Sequence, residues 1–182
     1  MKKTNKELNK KIEAKSMENY RKITIGVMGS WSATDKENKN AETLGKLIAN
    51  KGWVTLSGGE PGGVMQAVSK GAKEADGWVV GILPQTSDKP YSEYLDVAIF
   101  TNASAGRNYF NILSSDVVII ASKLSAGTLM EATTALRLKK PIVVLNNNKK
   151  DQELLKDRGK KLVSIAKSPE DVIRLCEKFL EK

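Results

Sequence analysis

WVTLSGGEPGGVMQAVSKGA, residues 53–72, runs through an aliphatic β-branched segment, turns on Gly58, Gly59, Gly62 and Gly63, and continues with helical spacing. Working outward in both directions, the same alternation recurs. Short aliphatic runs occur at ITIGVMG (23–29), WVVGILP (78–84), DVAIFT (96–101), DVVIIAS (116–122), PIVVLNN (141–147) and KLVSIAK (161–167). Each is nearly continuous in hydrophobicity, as parallel strands covered on both faces require. Helical patterns fill the intervals at 35–51, 63–75, about 104–115, 126–140 and 150–158. A last helix begins at Ser168 as N-cap, with Pro169 at its first position and Val172, Leu175, Cys176 and Leu180 on one apolar face. Repeated strand, helix, strand units predict an α/β fold. It has three layers, an open parallel sheet of about seven strands with helices on both faces and right-handed crossovers.

Composition narrows the chemistry. The 182 residues include no histidine and one cysteine, so Ser-His-Asp and Cys-His nucleophiles, histidine metal sites and Cys₄ zinc sites cannot be built within one chain. Cys176 reads as a small buried hydrophobe. No metal site is expected, and no apolar run approaches the roughly 18 residues of a membrane helix. The net charge of +9 is uneven: residues 1–22 carry +5, residues 23–145 carry +1 and residues 146–182 carry +3.

Residues 1–22 therefore read as a basic arm, a frayed helix or disordered, ahead of a single ligand-binding domain over 23–182. The arm has one aromatic, Tyr20, against eight Lys and Arg, so a solubilising tail is the reading and nucleic acid is not the expected partner. No apolar h-region follows the lysines, and a cytoplasmic location is expected.

In open α/β sheets a ligand sits outside the carboxyl ends of the strands, where strand order reverses. The residues after the runs are small or hydroxylic: Gly29 and Ser30 after the first, Ser57 to Gly63 after the second, Thr101 to Asn108 after the fourth, Ser122 to Thr128 after the fifth. Glycine lets backbone amides approach an anion, and the following helix adds its positive dipole end. Two such loops, Ser57 to Gly63 and Ser125 to Thr128, predict an anion site. A packing role for the glycines is the alternative. Neither G-x-G-x-x-G after the first strand nor G-x-x-x-x-G-K-[ST] occurs, which disfavours a conventional dinucleotide site or P-loop. Arg107 is the one Arg or Lys between Lys89 and Lys123, placed at a predicted helix start. Its planar fork suits a phosphate or carboxylate, with a salt bridge as the alternative, and Asn108 is placed to orient the ligand. Glu131 shares a helix face with Gly127 and Thr128, and the dipole end there is expected to keep its carboxylate ionised. Trp31 offers a stacking face, or else packs half-buried on the next loop.

These motifs, SGG-EPGGVMQAVSKGA, GILP, GRN, GTLME and KKPIVVL, resemble the Rossmann-like superfamily of the LOG (lysine-decarboxylase-like) and molybdenum-cofactor carrier proteins across residues 23–165. The triplet Gly106-Arg107-Asn108 points to the carrier-like branch. The resemblance implies a binding protein for a phosphate-bearing nucleotide or pterin-type ligand. It would hold molybdenum cofactor or a nucleotide as bound ligand, need no other cofactor, and form a homo-oligomer. The alternative it implies is a LOG-like phosphoribohydrolase that releases base and ribose 5-phosphate from a nucleoside 5′-monophosphate. There Arg107 would position substrate and Glu131 would stabilise an oxocarbenium-like transition state. Where the LOG signature P-G-G-x-G-T-x-x-E begins with P-G-G, this chain has Lys123-Leu124-Ser125, whose Cβ atoms narrow the cradle.

Overall fold

The computed structural model describes residues 21–145 and 148–181. The proposed arm lies outside them, apart from Arg21 and Lys22. Seven strands form one parallel sheet: β1 (Thr24–Met28), β2 (Val54–Ser57), β3 (Trp78–Leu83), β4 (Val97–Phe100), β5 (Val117–Ile120), β6 (Ile142–Val144) and β7 (Val163–Ile165). Six α-helices connect or follow them: α1 (Asp35–Asn50), α2 (Gly63–Lys73), α3 (Arg107–Leu113), α4 (Ala126–Arg137), α5 (Lys149–Gly159) and α6 (Pro169–Leu180).

Strand order is β4-β3-β2-β1-β5-β6-β7. The chain winds from β1 out to the β4 edge, then crosses back to pair β5 with the other side of β1. Ile25 lies between Thr55 and Val117, and Met28 pairs with Ile120. Side chains alternate across the sheet. Ile25, Val27, Val117, Ile119 and Val143 meet Leu44 and Ile48 of α1, Val64 and Val68 of α2, and Val172 and Cys176 of α6. Met28, Leu56, Ile82, Val118, Ile120 and Val144 meet Ile112 of α3, Ala132 and Ala135 of α4, and Leu155 of α5. The predicted three-layer architecture is the one observed.

Local signals hold these ends in place. Thr34 and Glu37 close a capping box on α1, with the Thr34 amide donating to Glu37 Oε2 at 2.8 Å. Ser168 accepts from the Asp171 amide at 3.3 Å, and Pro169 opens α6. Cys176 is fully buried, and burial pushes its thiol up to about 12, which makes it inert. Two boundaries differ from the predicted ones. The stretch 104–115 opens with a 3₁₀ turn, Ser104–Gly106, before α3 begins. The run at 161–167 likewise starts in a 3₁₀ turn, Lys160–Leu162, and leaves only three residues in strand β7. Along α3 and α4, Tyr109, Phe110, Leu113, Leu129 and Met130 stay exposed. Among the described residues no helix is long and apolar enough to cross a membrane.

Candidate functional site

Where strand order reverses, the ends of β1 and β5 diverge and leave a crevice. A cavity of about 160 Å³ occupies it, lined by Gly29, Ser30 and Trp31 after β1, Gly58 and Glu60 after β2, Met65 on α2, Arg107 and Asn108 on α3, and Ser125, Gly127, Thr128 and Glu131 on α4. Nine of the predicted site residues therefore converge on one place: Gly29, Ser30, Gly58, Arg107, Asn108, Ser125, Gly127, Thr128 and Glu131.

Arg107 is almost wholly enclosed. Its guanidinium donates to Glu60 Oε2 at 2.7 Å and to the Ile82 carbonyl at 3.2 Å. Space for it exists because residue 58 is glycine: a Cβ there would stand 1.9 Å from Nη1. Gly58 thus makes room for the arginine. The salt bridge weighed as the alternative for Arg107 is present, with its acid on a loop rather than a strand. The fork retains donors that the pair does not use. Asn108, also buried, lines the cavity.

Glu131 departs from expectation. Its position in the first turns of α4 predicts an ionised carboxylate, yet burial pushes its pKa up to about 7, against the opposing pull of Arg107 and of Asn111. Asn111 Nδ2 donates to Glu131 Oε1 at 3.5 Å, and the Glu60 carboxylate adds a further push upward. Magnitudes explain the outcome. A helix terminus contributes roughly 0.3–1 kcal/mol, whereas a rise from 4.5 to about 7 represents about 3 kcal/mol. The residue is only 7% exposed and Thr128 2%, so the face they share is turned into the protein, while Gly127 at the helix start stays open.

The start of α4 supplies the site's backbone donors. Ser125 caps the helix by accepting from the Thr128 amide at 3.2 Å, and its hydroxyl is 3.0 Å from that of Thr128. The amides of Ala126 and Gly127 have no acceptor within the helix. Just upstream, the Lys123 amide donates to Glu37 Oε1 at 2.8 Å and the Leu124 amide to Asp151 Oδ2 at 2.9 Å. Burial works to raise Glu37, but the Thr34 and Lys123 amides, the Thr34 hydroxyl and the Lys123 charge together hold it below the usual carboxylate range. The two hydrogen bonds to residues 123 and 124 clamp the loop. Leu124 does not occlude the cavity, because it packs against the core beneath α4 and α5.

Five predicted residues lie outside the cavity. Ser57 is fully buried and accepts from the Gly59 amide, and Thr101 donates its hydroxyl to the Leu83 carbonyl at 2.7 Å. Gly59, Gly62 and Gly63 meet Gly81, the Trp31 indole and the Ser30 carbonyl respectively, so protein fills the space their missing Cβ atoms leave. Here the packing alternative accounts for the glycines. Sequence reasoning missed Glu60 and Met65 as cavity residues. Glu60 sits inside the Gly-rich loop at 57–63, and an acid there opposite a lone arginine was the available signal. Trp31 is 53% exposed and lies against Gly62, combining the two readings offered for it.

A sheet wound outward in both directions from β1, with a polar cavity at the reversal and a helix amino terminus pointing into it, defines the Rossmann-like class. The chain belongs to the SLOG cluster4 family, whose model matches residues 22–173. It is 44% identical to a protein from the phototrophic bacterium Rippkaea orientalis, described as its molybdenum cofactor binding protein. That structure is similar with a TM-score of 0.86 over 89% of this chain and 99% of that one. The molybdenum cofactor carrier protein of Chlamydomonas reinhardtii is 34% identical, with a TM-score of 0.84 over 89% of this chain and 100% of that one. An uncharacterized protein of Archaeoglobus fulgidus is 38% identical over 129 residues, which is 67% of this chain and 83% of that one.

Proposed function

We propose that this chain is a carrier-like binding protein for a phosphorylated pterin-type small molecule of the molybdenum-cofactor class. The observation that carries the reading is the crevice between β1 and β5, in a chain 44% and 34% identical to two proteins named for that cargo. The ligand's phosphate would accept from the Ala126 and Gly127 amides, with Arg107 and Asn108 beside it. The chain has no histidine and its one cysteine is buried, so neither an imidazole nor a thiol can grip a metal here; the organic part of the cargo would be what is held. A steady grip on a cargo suits a rim whose Lys123 and Leu124 amides are already bonded to protein carboxylates.

Ligand titration followed by thermal shift tests this. A phosphorylated pterin at 100 times its Kd should stabilise the protein by about 2.7 kcal/mol. Gly127→Val places methyl groups where a Cβ meets only Ser125 Oγ, at 3.9 Å; it should retain the fold and weaken binding at least tenfold. If no phosphorylated pterin or nucleotide raises the melting temperature, the proposal fails.

One observation favours a second reading. A carboxyl held near 7 is poised as a general acid. Glu131 would then protonate the leaving base of a nucleoside monophosphate while water attacks the ribose carbon. The same preparations, incubated with nucleoside monophosphates, should release ribose 5-phosphate only if this holds, and Glu131→Gln should abolish the release. Absence of turnover with every nucleotide removes it.

The proposal includes homo-oligomerisation through the apolar face of α3 and α4, where Phe110 is 47% and Leu113 49% exposed. Light scattering should give a mass above 19.9 kDa for the parent and the monomer mass for Phe110→Glu. A monomeric parent sinks this part.

A further inference from the structure

The inner cavity is too small for a whole ligand of the kind proposed. At about 160 Å³ it lies below the roughly 300 Å³ at which drug-sized pockets begin. A second cavity of about 480 Å³ lies beside it, above the ends of β2, β3 and β4, and Trp31 and Glu60 line both. The indole is prepared for this position. A Cβ on Gly62 would fall 2.6–2.8 Å from three atoms of the indole around its ring fusion, a geometry possible only above the ring plane. One face of Trp31 is thus seated on the glycine, while the side chain as a whole remains 53% exposed. Around the outer cavity, Pro61, Pro84 and Pro90 give apolar walls, and Lys89 brings an exposed ammonium. Gln85 braces the loop by donating to the Pro90 carbonyl at 3.2 Å.

We infer that the site has two chambers: an inner one for the anionic group, and an outer one in which a planar nitrogen heterocycle stacks on Trp31 between the proline walls. Lys89 donates to a ring carbonyl or nitrogen. The inference rests on the phosphate-binding reading of the inner cavity, but its occupant and its residues are different. Flat rings suit the outer chamber because stacking needs only one aromatic face and rigid apolar neighbours, and this chamber offers both. Glu60, shared by the two chambers and fixed by Arg107, sets the boundary between them.

Calorimetric titration of the full chain tests the division with three probes: a phosphate-free pterin, adenosine, and inorganic phosphate. At least one of the two rings should bind the parent, and the one that binds identifies the heterocycle class. Saturating phosphate should change that ring's Kd less than twofold, since the two occupy separate chambers. Trp31→Ala should weaken the ring about tenfold or more, the scale of a lost stacking contact. Thr86→Phe, on an exposed part of the outer wall, should fill the chamber and abolish the ring's heat while inorganic phosphate still registers. The inference is overturned if neither ring binds, if phosphate displaces the ring, or if Thr86→Phe leaves ring affinity unchanged. Ring binding without phosphate binding would instead uphold the outer chamber and sink the anion-site reading on which the proposed function stands.

Discussion

Replacing Glu131 with glutamine should stabilise the protein by about 3 kcal/mol at pH 8 and leave its stability at pH 4 unchanged. In the folded chain the carboxyl holds its proton up to about pH 7, whereas an unfolded glutamate releases it near 4.5. Between these values the native state binds the extra proton, so stability falls as pH rises, by 1.36 kcal/mol per unit of pKa difference. The contribution is fully present below 4.5 and lost by the time pH has passed through 7. Glutamine is neutral and of the same shape, and it removes the fall. Melting curves across pH 4–8 should therefore diverge above 5, reaching a gap of about 6–12 °C at pH 8. Glu37, Glu74 and Asp171, whose pKa values are lowered, act in the opposite sense at acid pH but do so in both proteins. Parallel curves for variant and parent would show that Glu131 is not buried as described.

The second large effect is at Arg107. Among the described residues its guanidinium is the only cationic side chain lining the inner cavity, which also holds Glu60 and Glu131. Arg107→Met leaves the Glu60 carboxylate without its partner and removes the charge that holds the Glu131 pKa down. Arg107 is buried but Glu60 is 29% exposed, so deleting the arginine costs about 1–3 kcal/mol, short of the figure for a fully buried pair and mostly the burden of the abandoned charge. Urea denaturation at pH 7 should show that loss. Arg107→Met combined with Glu60→Gln should recover most of it, because the orphaned charge is gone. Ligand affinity should not recover in the double variant, since the fork is still missing. A single variant within 1 kcal/mol of the parent would contradict the enclosed pair.

How much of this is legible in the chain depends on the range of the interaction concerned. The strands are readable because both faces of the sheet are covered, which leaves runs such as VVII at 117–120 without polar interruption. Ser168 and Pro169 mark α6 by local hydrogen bonding and a fixed φ alone. The edge of the last run is different. Lys160 takes a φ of +46° behind Gly159, a turn that nothing in KLVSIAK announces. Site residues divide in the same way. The positions after β1 and β5 follow from topology, whereas the Arg107–Glu60 pair joins residues 47 apart in sequence and depends on Gly58 being bare. Glycines that admit a ligand and glycines that admit an indole or a guanidinium look alike in one dimension. Among the predicted site glycines, only Gly127 has the space beside it left open. Burial at Glu131 is likewise a property of the α4 docking angle, and the local helix dipole points the other way.

The carboxylates of Glu37 and Asp151 reach the backbone of residues 123 and 124 from two separate helices. Glu37 is also the third residue of the α1 capping box, so one side chain joins the start of a helix to the mouth of the crevice. A rim loop tied down from two helices before anything enters has little freedom left to surrender on association. Capture then carries almost no ordering cost, and the lifetime of the complex is set by the contacts themselves instead of by a closing flap. On the proposed carrier reading, a cargo held this way would leave at the rate its own contacts set, and the dissociation rate would be the quantity by which this rim governs release.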